Sequence, residues 1–232
     1  MSAIDRSLVA NLPLFAGCSP QQIDELLRQA RTAGFAKNAM IFVQGGKADS
    51  FFLLLQGRVR AYKLTPAGEQ VLIRFIGPGE MFGVAMAIGR DAYPATAAAV
   101  VDSVVLAWPT SAWPRLLTCH PALAVDTMRT LGERLQETQA RVVEMSTEEV
   151  ERRIAHALLR LAHQGGRKTE DGVLIDFPIS RQDIAQMTGT TLHTVSRIMS
   201  AWEKVGLVSS GRQRVVICGP YRLYLLAESS KA

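Results

Sequence analysis

The stretch from Ser180 to Val208, SRQDIAQMTGTTLHTVSRIMSAWEKVGLV, constrains this chain most, because it reads as two short helices hinged at one glycine. Ser180, with Asp183 three residues on, has the pattern of an N-cap and capping box, and Gly189 ends the helix it opens. Thr191 is the next N-cap. Val195, Ile198 and Trp202 then recur at three and four, giving the second helix one apolar face. Its other face carries Leu192, His193, Ser196, Arg197 and Ser200. Forked and short polar groups of this kind suit base edges in a DNA major groove, where Arg bonds bidentately to guanine. An ordinary helical hairpin with a solvated face is the alternative. Beyond Gly206, LVSSGRQRVVI alternates as two strands about a turn containing Gly211, the mark of a wing. Arg212 and Arg214 fall at or just past its tip, placed for phosphate. Between Phe177 and Arg222 six basic residues stand against two acidic ones, an electrostatic footprint that phosphate binding needs.

The rest of the chain has two further textures. From Phe35 to about Trp108, short apolar runs are broken by glycines, with alternation in Arg58 to Leu64, which predicts an antiparallel β-roll able to enclose a small ligand. A capped helix over Ser19 to Ala30 precedes it. From about Pro121 to Met145 a long helix is expected, with Ala124, Met128, Leu131, Leu135, Thr138, Val142 and Met145 spaced alternately by four and three. That is a heptad seam, suited to a partner helix, and the alternative is a helix packed on its own roll. Ser146 reads as the cap of a new helix, with a hinge at Met145 to Thr147. The expected fold is α+β: a sensor domain over residues 1–120, a dimerisation helix over 121–145 and a winged helix-turn-helix over 146–232.

At 232 residues and 48% hydrophobic content the chain has enough apolar material for two cores. It has no membrane-length apolar run and no signal pattern, so a cytoplasmic location is expected. Cys18, Cys119 and Cys218 are too scattered for a zinc site or a disulfide framework. No phosphate loop, dinucleotide fingerprint or nucleophile elbow is present, and no enzyme is expected. A cupin-like metalloenzyme would need histidines on the roll's strands, and none precedes His120. A cyclic-nucleotide-binding regulatory module without DNA binding is the other alternative. It would have no use for Ser196 and Arg197.

In this order, MIFVQGGKADSFFLLLQGRVRAYKLTPAGEQVLI, the Gly79 to Gly83 turn and the helix-turn-helix resemble the Crp/Fnr superfamily of bacterial transcription regulators over nearly the whole chain. The resemblance implies a homodimer on an inverted-repeat site in double-stranded DNA, an effector signal relayed from the cyclic-nucleotide-binding-like roll through the long helix, and RNA polymerase as partner. It places Ser180, Arg181, Gln182, Thr191 and Thr194 on phosphate, and Ser196 and Arg197 on bases. His193 stands where the oxygen-responsive branch has a glutamate that accepts from cytosine, and imidazole both donates and accepts, so one letter of the half-site is expected to differ. Cyclic AMP is disfavoured. Its binders carry Gly-Glu-Leu and, ten residues later, Arg-Ser-Ala, whereas Val84 and Tyr93-Pro94-Ala95 stand here, and Arg90, ten after Glu80, adjoins Asp91. An iron–sulfur cluster is disfavoured too, since Cys18 is alone near the N-terminus. TTLHTVSR and the alanine-rich pocket segment are similar to the nitrogen-oxide-responsive branch, which implies haem as a cofactor and activation of denitrification genes. His120 is then the imidazole candidate in the N-terminal half, with a turn residue before Pro121 as the alternative.

Overall fold

A computed structural model describes residues 6–15, 17–119 and 121–229, and His120 lies outside them. The chain divides into two compact units, one running to Glu69 and from Ile73 to Gln136, the other comprising Gln70–Leu72 and everything from Glu137.

The first unit begins with helix α1 (Pro20–Arg28), whose cap Ser19 accepts from the Gln22 amide while Gln22 reaches back to the Ser19 amide. Eight strands follow: β1 (Arg31–Phe35), β2 (Met40–Phe42), β3 (Ser50–Gln56), β4 (Val59–Leu64), β5 (Gln70–Ile76), β6 (Met81–Phe82), β7 (Thr96–Ala99) and β8 (Ser103–Pro109). They form two antiparallel sheets, ordered β1-β8-β3-β6 and β2-β7-β4-β5, the double-sheet roll expected from the sequence. Strand β3 explains how the layers stack. Its run SFFLLL has no polar alternation because both faces are covered. Phe51 and Leu53 pack with α1 residues Ile23 and Leu26, while Phe52 and Leu54 point into the interior with Val59, Ile76 and Phe82. Strand β8 repeats the division, Trp108 facing α1 and donating its indole N–H to the Leu26 carbonyl at 2.9 Å. Gly83 is held at φ +71, and a Cβ there would lie 3.0 Å from the Phe52 ring, so glycine is required by both conformation and space.

Helix α2 (Trp113–Cys119) leads to α3 (Pro121–Thr147). Its early residues Leu123 and Thr127 are buried in the first unit. Its last turns belong to the second: the Arg141 guanidinium donates to the Met187 carbonyl at 2.9 Å, and Glu144 pairs with Arg160. Burial, and then the charge of Arg160, pull the Arg141 pKa below its ordinary value. The expected hinge at Met145 to Thr147 is therefore corrected. Ser146 and Thr147 turn their hydroxyls back to the carbonyls of Val142 and Val143, four residues earlier, and prolong α3 instead of capping a new helix. The break falls at Glu148 and Glu149, and α4 (Val150–Gly165) starts there.

The second unit continues with β9 (Gly166–Thr169), β10 (Gly172–Ile175), α5 (Arg181–Thr188), α6 (Leu192–Lys204), β11 (Val208–Gly211), β12 (Arg214–Ile217) and α7 (Pro220–Glu228). One sheet, ordered β11-β12-β10-β9, backs the helices. Its core holds Ile154, Leu158 and Leu161 of α4, Ile184 of α5, Val195 and Met199 of α6 and Leu223 of α7. The β9–β10 hairpin and α7 are additions to the sequence reading.

Candidate nucleic-acid interface

The helix-turn-helix is built as its caps dictate. The Ser180 hydroxyl accepts from the Asp183 amide at 3.1 Å and the Asp183 carboxylate accepts from the Ser180 amide at 2.8 Å, so the first free amides of α5 are satisfied locally. Gly189, at φ +60, ends α5 in the left-handed region. Thr191 caps α6, its hydroxyl accepting from the Thr194 amide at 3.1 Å and meeting the Thr194 hydroxyl at 3.0 Å. From there Val195, Ile198, Met199 and Trp202 are buried, and Trp202 donates its indole N–H to Glu151 at 2.8 Å.

The opposite face of α6 is open. Leu192, His193 and Arg197 are exposed, with Ser196 and Ser200 half-buried beside them. Residues at i, i+3 and i+4 share a helix face, so His193, Ser196 and Arg197 stand together, and Leu192 sits at the helix head next to them. Leu192 is 47% exposed, an apolar side chain on an otherwise polar face.

The expected phosphate contacts divide into two sets. Gln182, Thr191, Arg212 and Arg214 are exposed. Ser180 and Thr194 are half-buried and serve the caps. Arg181 is engaged within the unit: its guanidinium donates to the Glu203 carboxylate at 3.1 Å and to the Ser210 hydroxyl at 3.0 Å, while Ser210 also donates to Glu203. One carboxylate thus ties the start of α5, the end of α6 and the first wing strand. Sequence reasoning missed this lock, since Arg181 and Glu203 are twenty-two residues apart and share no local pattern. In the wing, Gly211 pairs with Arg214, leaving Arg212 and Gln213 as the turn, and Gln213 takes φ +56. Arg212 is at the tip and Arg214 on the first position of β12.

The expected seam residues of α3 emerge unequally. Met128, Leu135 and Val142, seven apart, are 74%, 59% and 60% exposed in the single chain, and Met145 and Thr138 are exposed too. Leu131 is half-buried and lines two cavities of the first unit, so the roll shares it with the seam. Val125 and Val143, outside the expected set, add to the exposed apolar surface.

One of those cavities, about 220 Å³, is lined by Phe42, Ile73, Phe82, Val84, Pro94 and Leu131, with Arg74 and Arg134. It contains Val84 and Pro94, the positions where the resemblance would seat a cyclic nucleotide, and no carboxylate lines it. Glu80 accepts from the Gly77 amide at 2.8 Å and pairs with Arg74, and Arg90 is exposed. Neither this cavity nor its neighbour is lined by a His, Cys or Tyr side chain among the described residues; Tyr93 lines a third cavity of the same unit, and His120 lies outside the described residues. Cys18 is in no disulfide among the described residues, and burial pushes its thiol pKa up, away from reactive thiolate.

The chain matches two family profiles, the cyclic nucleotide-binding domain over residues 33–120 and the Crp-like helix-turn-helix domain over residues 152–226. It is 31% identical over 199 residues to the "Cyclic AMP receptor protein" of Thermus thermophilus, covering 86% of this chain and 89% of that one. It is 25% identical over 205 residues to "Transcriptional activator protein FnrA" of Stutzerimonas stutzeri, covering 88% and 83%. Among solved structures it is similar in fold to FixK2 from Bradyrhizobium japonicum, with a TM-score of 0.76 at 23% identity over 87% of this chain and 99% of the other. No helix among the described residues is long and apolar enough to cross a membrane. The roll, the capped helix-turn-helix with its wing, and these matches together show that the chain belongs to the Crp/Fnr family of DNA-binding transcription regulators.

Proposed function

We propose that this regulator acts as a homodimer that reads an inverted-repeat DNA site, each copy of α6 lying in a major groove with its N-terminal residues on base edges. The observation that carries the base-reading part is the composition of the open face of α6: an exposed arginine and histidine, flanked by serines, stand directly over a fully buried apolar row. Arg197 bonds O6 and N7 of guanine, Ser196 lets the helix approach closely, His193 bonds a neighbouring base, and Leu192 meets a thymine methyl. Gln182, Thr191, Arg212 and Arg214 fix register on phosphate. Arg181, held by Glu203 and Ser210, sets the angle between helices and wing.

Dimerisation is supported by the column Met128, Leu135 and Val142, exposed apolar side chains at heptad spacing along a 27-residue helix. Two-fold symmetry then separates the half-site centres by about 34–36 Å, one helical turn. Once seated, the dimer activates transcription, as the name of the FnrA relative says of that protein, and RNA polymerase is the partner this reading requires. A cyclic nucleotide is disfavoured as the effector: Val84, Pro94 and Ala95 give the corresponding cavity apolar walls where a ribose hydroxyl needs a carboxylate and a cyclic phosphate an arginine. Nitric oxide sensing rests on the similarity of TTLHTVSR and the alanine-rich pocket segment to the nitrogen-oxide branch. Its haem would need a ligand beyond the residues lining these two cavities.

The test is selection of bound sequences from a random duplex pool, followed by gel shifts on the full inverted repeat and on one half-site. A palindromic selected site, bound much more tightly than its half, is expected. A non-palindromic site, or equal affinity for the half, would refute the dimeric reading.

A further inference from the structure

Another cavity of the first unit, about 280 Å³, lies between the start of α3 and the Gly79–Val84 segment and shares the walls Val84, Leu131 and Arg134 with the nucleotide-position cavity. Leu14, Met81, Val84, Leu123 and Leu131 make its walls apolar. The Thr127 hydroxyl sits within them unsatisfied by the fold. Thr127 is 8% exposed, and its hydroxyl oxygen is buried with no hydrogen-bond partner among the described residues. A threonine on a helix ordinarily turns its hydroxyl to the carbonyl four residues back, as the neighbouring Thr130 does to Asp126 at 2.8 Å. A buried hydroxyl without a partner is costly, and such a group at a cavity wall is complementary to a ligand atom.

Most of the charged side chains around the opening are engaged, Glu80 with Arg74 and the Gly77 amide, Asp126 with Arg129 at 2.9 Å, and Arg134 with the Met81 carbonyl at 3.0 Å, while Glu133 at the rim is exposed. An anionic ligand would meet the carboxylates Glu80, Asp126 and Glu133 at the opening, and the apolar walls inside would leave any ionic group without a counter-charge. An apolar cavity of roughly 150 Å³ is enough for benzene, so this one has room for a bicyclic molecule. We infer that the cavity is a binding site for a small uncharged molecule of up to bicyclic size, apolar except for one hydrogen-bonding group that meets the Thr127 hydroxyl. This inference goes beyond the DNA-reading function and does not depend on it.

Indole and its carbon isostere indene are suitable probes, since they share a shape and differ in one N–H donor. Their binding to the full-length protein is measured by calorimetry for the wild type, for Thr127→Val, which keeps the shape and removes the hydroxyl, and for Thr130→Trp, which fills this cavity. Ile88→Trp, in the other cavity only, is the control, and thermal melts verify that each variant is folded. Saturable indole binding is expected, weakened roughly 2- to 13-fold by Thr127→Val. Indene affinity should be unchanged by that substitution. Thr130→Trp should abolish binding of both probes, and Ile88→Trp should leave it intact. The inference is overturned by no saturable binding to folded wild type, by equal losses of indole and indene in Thr127→Val, or by loss in Ile88→Trp instead of Thr130→Trp.

Discussion

Helices α3 and α6 each leave one face uncovered in the single chain, and the chemistry of the two faces is opposite. On α3 the exposed column is Met128, Leu135 and Val142; on α6 it is His193, Ser196 and Arg197. An apolar column at heptad spacing calls for another protein surface that is equally apolar. A face of forked donors and small hydroxyls keeps its hydration in the free protein and exchanges it for base edges. The lesson is that exposure alone says nothing about the partner, whereas the residue types along the exposed row do.

Placing charge in the α3 column should break this comparison with the largest effect. In the double variant Leu135→Glu, Val142→Glu, unpartnered carboxylates face each other across the seam, and the dimer dissociation constant should rise roughly 100-fold or more. Sedimentation equilibrium measures it, and the DNA-binding unit should keep its circular dichroism. If the variant stays dimeric, the exposed column is not the dimer seam.

The second effect concerns how α6 is held. Arg181→Ala leaves Glu203 and Ser210 without their guanidinium donor and should reduce stability by about 1–3 kcal/mol, read from urea melts. A smaller loss of DNA affinity should follow from misalignment of the wing. An unchanged melt would show that the lock adds no stability.

These two effects differ in how visible they are in the sequence. The α3 column and the caps at Ser180 and Thr191 are local: periodicity and residues three apart identify them, and the helices form where those signals place them. The Arg181–Glu203–Ser210 lock joins three elements distant in sequence and has no local signature. The β9–β10 hairpin is hidden for another reason. Its first strand, Gly166–Thr169, is almost wholly exposed and polar, held by pairing with β10 instead of by side-chain burial. Ser146 and Thr147 mislead because a serine or threonine caps a helix or bonds back within one, and only the surrounding backbone decides which.

Smaller effects sharpen the reading of α6 and its wing. Arg212→Ala or Arg214→Ala should weaken selected and scrambled duplexes about equally and lower the salt slope by about 1 per half-site, about 2 for the dimer, measured by fluorescence anisotropy at several salt concentrations. A selective loss on one sequence would move that arginine from phosphate to a base. Leu192→Ala should have the smallest effect, a loss below about 1 kcal/mol confined to sites carrying thymine at the position it meets. Replacing that thymine by uracil should abolish the difference between wild type and variant.

The central claim is that α6 reads bases, and Arg197→Ala tests it most directly. At one fixed salt concentration, the ratio of affinities for the selected inverted repeat and a scrambled duplex is measured for wild type and variant. Losing one bidentate guanine contact per half-site should cost about 1–3 kcal/mol on the selected site and little on the scrambled one, so the ratio falls. An unchanged ratio would contradict the account.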